Sequence, residues 1–129
     1  MSANQRLRVV ICWHMHQPQY ANRLKGSYQL PWTYLHAIKD YVDMAAHLEE
    51  VPSAKAVVNF APILLEQLDD YTQQIQRFFQ SGRDITDPLL NALGSAVLPA
   101  DIDSRLALVK DCLRANRQRL IERFPCYQR

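Results

Sequence analysis

Two histidines one residue apart carry the chemistry-bearing stretch of this chain. His14-Met15-His16 leads directly into Gln17 and Pro18, and follows the apolar run Val9-Val10-Ile11-Cys12-Trp13. Alternate side chains of an extended chain share a face, so His14 and His16 lie on one side. A neutral imidazole offers one donor and one acceptor, and it is also the commonest metal ligand. A His-x-His pair is half of a zinc site and needs a third ligand such as Asp, Glu or His. His36 and His47 lie on the helix after a long loop. The third position is therefore not filled, and no metal is assigned. Cys12 reads as a packed small apolar residue, with no base arranged to make it a nucleophile.

The elements that must position these groups follow from apolar spacing. Leu7 to Trp13 reads as a buried strand, rich in β-branched residues. Pro18 stops it. The imidazoles and the Gln17 amide are thus delivered to the strand's C-terminal end, where α/β sheets and barrels bind ligands. Residues 17–31 form a long loop with Tyr20 and Tyr28, and Trp32 stands at its end. These aromatics either stack on a ligand or pack back onto the sheet. Thr33 caps a helix over 34–50, in which Leu35, Ile38, Val42, Ala45 and Leu48 form an amphipathic stripe. A second strand is predicted over 55–60. It is followed by a helix from Pro62 to Ser81-Gly82 through Ile63, Leu64, Leu68, Tyr71, Ile75 and Phe78.

Strand, helix, strand, helix predicts parallel strands with right-handed crossovers. Asn59, near the end of the second strand, then shares the histidine rim. Beyond residue 83, Asp87-Pro88 opens a short helix through Leu93 that Gly94 closes. A longer helix runs from Asp101 to Phe124-Pro125, with the stripe Ile102, Leu106, Val109, Leu113 and Leu120, and with Leu108 and Cys112 beside it. Arg114, Arg117, Arg119 and Arg123 near its C-terminus read as a solvated face. Residues 1–6 are a polar start. Two parallel strands cannot make a sheet covered on both faces. The chain therefore reads as a truncated domain, the opening part of a larger α/β fold.

Composition narrows the function classes. The 129 residues suit one domain, and 48% hydrophobic with 22% charged content is ordinary for a globular protein. A net charge of +2 lacks the basic excess of a nucleic-acid binder. Cys12, Cys112 and Cys126 have no metal spacing and read as reduced thiols. No leader peptide or membrane-length apolar stretch is present, so the expected location is cytoplasmic, with no membrane and no nucleic-acid partner.

His14-Met15-His16-Gln17-Pro18-Gln19-Tyr20 resembles the first signature of glycoside hydrolase family 57. The blocks Leu30-Pro31-Trp32, Leu35 to Tyr41, and Asn59-Phe60-x-Pro62 with Leu64 to Leu68 continue the resemblance, as far as Phe124-Pro125-x-Tyr127. The resemblance implies an α/β fold, the N-terminal part of an incomplete (β/α)7 barrel of the glycoside hydrolase/deacetylase-like kind. It implies α-amylase, amylopullulanase, 4-α-glucanotransferase or branching activity on α-glucans or oligosaccharides, without a cofactor. It also implies a retaining mechanism with a Glu nucleophile and an Asp acid/base, carboxyls about 5–5.5 Å apart. Nothing in residues 1–129 matches the motifs that carry those two groups, and Glu66 and Asp40 have no claim to the roles. The expected catalytic set of this chain is therefore empty, and the isolated chain is expected to be inactive.

Within that frame residues 1–129 form one partial domain, a βαβα start over 1–82 and a helical insertion over 83–129. The expected substrate contacts are His14, His16, Gln17, Trp32 and Asn59. His36 is expected to fix the loop. Two rival readings stand beside this one. One is a metal-dependent, deacetylase-like hydrolase using His14 and His16. The other is a non-catalytic half that pairs with a second chain supplying the rest of the barrel.

Overall fold

The computed structural model describes residues 7–95, 97–114 and 116–127. The polar start at 1–6 lies outside the described residues, as does the side chain of Leu120. The fold is mixed α/β. Strand β1 is Cys12–Met15, and a small hairpin follows from β2 (Ala21–Asn22) and β3 (Ser27–Tyr28). Helix α1 (Trp32–His36) runs through a π-turn (Ala37–Tyr41) into α2 (Val42–Glu50). Strand β4 (Val57–Phe60) leads into α3 (Pro62–Ser81), α4 (Pro88–Gly94) and α5 (Ile102–Cys112). A π-turn at Arg117–Ile121 and a 3-10 turn at Pro125–Tyr127 complete the order.

β1 and β4 pair in parallel, with Cys12 opposite Val57, Trp13 opposite Val58, His14 opposite Asn59 and Met15 opposite Phe60. The predicted strand over 7–13 is displaced toward the C-terminus, so that His14 lies inside it. The prediction that this strand is buried is corrected. Val9 and Val10 are about three-quarters exposed, Cys12 is exposed rather than packed, and all four β4 residues are exposed. A parallel strand is buried only when neighbours flank it and helices cover both faces, and the described sheet has two strands. Met15, at the rim end, is the buried residue of β1.

The core lies instead between the loop after β1, α1, α3 and the turn before α4. Tyr28, Tyr34 and Tyr71 cluster there, with Tyr20, Ala21, Leu35 and Leu90 packed around them. Tyr28 and Tyr71 rings stand 4.3 Å apart, and Tyr34 lies 5.7 Å from Tyr71. The stretch predicted as bare loop contains the hairpin because its turn chemistry is complete. The Asn22 side chain accepts the N–H groups of Leu24 and Lys25, and Gly26 takes a φ of 63°. Of the loop aromatics, Tyr28 packs back into the core at 4% exposure.

α3 starts at Pro62 and ends at Gly82 in the left-handed conformation, where the Gly82 N–H bonds the Phe78 carbonyl at 2.9 Å. Its buried face is Leu64, Gln67, Tyr71 and Gln74, so two amides share the predicted apolar stripe. Thr33 does not cap the first helix. Pro31 occupies that position, and Thr33 lies inside the helix, fully buried. The helix predicted over 101–124 is also broken. α5 stops at Cys112, and the Asn116 side chain caps a separate turn by accepting the Arg119 N–H. No helix of the described residues is long and apolar enough to cross a membrane.

Candidate functional site

The parallel register places Asn59 directly beside His14. The His14 Nδ1 donates to Asn59 Oδ1 at 2.7 Å. With a carbonyl oxygen as acceptor, Nδ1 carries the proton, and Nε2 is the ring nitrogen left out of this bond. The second nitrogen thus sets what the first can bind. His16, one residue past the strand, lies on the same face. The two imidazoles stack with centroids 5.9 Å apart and planes 9° from parallel. Both are exposed at the C-terminal end of the β1–β4 pair.

Gln17 lies half-buried between two phenols. Its Nε2 donates to Tyr41 Oη at 3.3 Å, and its Oε1 accepts from the Tyr20 hydroxyl at 3.1 Å. Burial, with Tyr41 nearby, raises the Tyr20 phenol above its ordinary value and keeps it a donor. The backbone around Gln17 is held from α3. Gln67 Nε2 donates to the Pro18 carbonyl at 3.0 Å and to the Ile63 carbonyl at 3.2 Å, and its Oε1 accepts the Tyr20 N–H at 3.1 Å. The Thr33 hydroxyl donates to the same oxygen at 3.4 Å. One buried amide therefore ties the rim loop, α1 and α3 together.

Trp32 is half-buried at the start of α1 with the Arg114 guanidinium 5.9 Å from its ring centroid. No hydrogen bond or ring contact joins it to the histidine rim among the described residues. His36 engages its own helix rather than the loop. It bonds Asp40 and stacks on Tyr41, with ring centroids 6.4 Å apart. The bond from His36 holds the Asp40 carboxyl below the usual range. Lys39, which bonds Asp43 and Asp40, is raised. Glu66 pairs with Arg23. A groove of about 340 Å³ lies along α3, lined by Gln19, Arg23, Glu66, Gln67, Asp70 and Gln73 among others, and includes none of His14, His16, Gln17, Trp32 and Asn59.

The structure thus joins His14 to Asn59 and His16, seats Gln17 beside them in sequence, and sets Trp32 apart. Tyr41 and Gln67 were not singled out from the sequence. Helical periodicity cannot show a π-turn, and a glutamine on an apolar stripe carries no signal of what it will tie down. The described residues contain no group of three or more His, Cys, Asp or Glu able to hold a metal ion. What the rim offers is a set of hydrogen-bond donors and acceptors.

No curated protein and no solved structure matches the chain. The sequence model of glycosyl hydrolase family 57 does match, over residues 10–125, which takes in β1, both rim histidines, the Gln17 loop, β4 and helices α1 to α5. That match covers most of the chain, and the chain belongs to glycosyl hydrolase family 57.

Proposed function

We propose that this chain supplies the sugar-contacting rim of a retaining hydrolase or transglycosylase acting on α-glucans. His14, His16, Gln17, Trp32 and Asn59 contact substrate, while the Glu nucleophile and Asp acid/base come from outside residues 1–129. Residues 1–82 form the βαβα start of an incomplete barrel, and 83–129 form a helical insertion. The single observation that carries the reading is the His14–Asn59 bond across β1 and β4. It fixes the orientation of one imidazole beside a second, on the rim where such sheets bind ligands.

Two further observations support it. Asp40 and Glu66 are engaged with His36 and Arg23 and lie on helical segments rather than at the ends of β1 and β4. The exposed apolar strands β1 and β4 suit a chain whose sheet is continued by further strands, in the same polypeptide or in a second one.

The test is direct. Purified residues 1–129 are incubated with maltooligosaccharides, and reducing ends and product lengths are followed. No turnover is expected, while a maltotriose titration shifts the imidazole resonances of His14 and His16. Measurable hydrolysis or transfer by this chain alone overturns the assignment of the catalytic carboxylates. Unmoved imidazole resonances at saturating sugar overturn the rim assignment.

A further inference from the structure

The helix after the rim loop contains one irregular turn. Ala37–Tyr41 form a π-turn between α1 and α2. A π-turn accommodates one extra residue, and such turns cluster at functional sites. In a regular α-helix one residue corresponds to about 100° of rotation. The extra residue therefore decides which way the helix presents Tyr41 relative to the buried Thr33 and Tyr34 of α1.

Tyr41 reaches Gln17 across 24 positions of sequence. A primary amide has two N–H donors and two acceptor lone pairs. Tyr41 occupies one donor and Tyr20 one acceptor. One N–H and one lone pair are left over among the described residues, and this count is the same whichever way the amide is turned. Two neighbouring hydroxyls of a pyranose ring match that pair, one accepting and one donating. The terminal torsion of a free glutamine is broad, so without its clamps the amide would sample many orientations.

We infer that Tyr41 is a positioning residue for Gln17, presented by the π-turn, and that the clamped amide recognises a vicinal diol of the α-glucan. The inference rests on the sugar reading above. The Tyr41 ring is itself braced by the stacked His36, which Asp40 holds in turn. The far side of the clamp is fixed through Tyr20, whose N–H is bound by Gln67.

The experiment uses residues 1–129 with Tyr41→Phe, Gln17→Ala, the double variant and His14→Ala. Each is followed by the Gln17 side-chain amide resonances in NMR and by maltotriose titration. Tyr41→Phe keeps the ring stacked on His36, so the unfolding midpoint is expected to hold. The Gln17 amide pair moves toward the position of a solvated glutamine, and maltotriose affinity falls about five- to tenfold, the scale of one hydrogen bond. The double variant binds no more weakly than Gln17→Ala alone, because Tyr41 acts only through Gln17. An amide pair indifferent to Tyr41→Phe overturns the clamp, whatever the sugar does. Additive losses in the double variant overturn it too. If the amide responds but neither wild type nor His14→Ala binds maltotriose, the carbohydrate reading falls and takes the diol role with it.

Discussion

Gln67 shows how much a single buried amide can organise. It is 2% exposed, and its two ends reach the Pro18 carbonyl, the Ile63 carbonyl, the Tyr20 N–H and the Thr33 hydroxyl. Removing it takes the side-chain partner from the part-buried Pro18 carbonyl and Tyr20 N–H, at about 1 kcal/mol for each bond lost. Gln67→Met keeps the volume and removes every bond. We expect it to destabilise the chain by about 2 kcal/mol or more, read from the urea midpoint at unchanged slope. A loss under about 0.5 kcal/mol would show that the loop is held by packing alone. His14 and Asn59 are a different case. Their bond is exposed, so its worth lies in fixing a tautomer rather than in stability.

At the scale of elements, helix ends decide where groups point. Asp87 is 1% exposed and serves two elements at once. One oxygen accepts the N–H groups of Leu89 and Leu90 at the start of α4, and the other accepts the Tyr71 hydroxyl of α3 at 2.6 Å. An N-cap is worth about 1 kcal/mol, and a buried hydroxyl stripped of its acceptor costs a further 1–3 kcal/mol. Asp87→Ala is therefore expected to cost about 2–4 kcal/mol in equilibrium unfolding. Asp87→Asn still caps with its one oxygen but turns an amide NH2 toward Tyr71, so it should recover the cap, about 1 kcal/mol, and not the Tyr71 bond. Equal losses in both variants would refute the cap and assign the effect to charge.

At the scale of the whole molecule, the core is a cluster of phenols rather than of aliphatic side chains. Tyr71 is raised above its ordinary value by burial, by its bond to Asp87, and by the charge of that carboxylate. Burial and Asp70 raise Tyr28 likewise. Burial, with the Asp87 charge, pushes Tyr34 up to about 12. Raised phenol values mean that the folded chain keeps these protons when the unfolded chain has lost them. The linked stability is complete below the unfolded value of 10.0 and is lost as pH rises beyond it. Melting temperature should thus stay flat from neutral pH to about 10 and then fall, with phenolate absorbance appearing together with loss of helix. Phenolate absorbance that reaches the full value for all six tyrosines while the helices remain intact would show that these three are solvated.

Apart from the β2–β3 hairpin and the π-turn, the order of elements through α4 was legible in the sequence, because local spacing and punctuation specify it. Pro62 and Gly82 bound α3, Asp87 caps α4, and the run from Val57 to Phe60 pairs with β1. The sharing of one rim by His14 and Asn59 followed from strand alternation and parallel order. What the sequence left open depends on contacts between distant residues. Whether an apolar run is buried depends on neighbours that local spacing does not name, and Val9 to Cys12 are exposed. Whether Gln67 is a surface residue or the tie of the rim loop depends on what faces it, 47 positions away at Tyr20. Whether Tyr41 meets Gln17 depends on one extra residue in one turn, which a 3.6-residue period averages away. The two imidazoles and the amide are properties of the sequence. The tautomer of His14 and the clamped edge of Gln17 exist only once the chain has folded, because both are set by partners brought in from elsewhere in the chain.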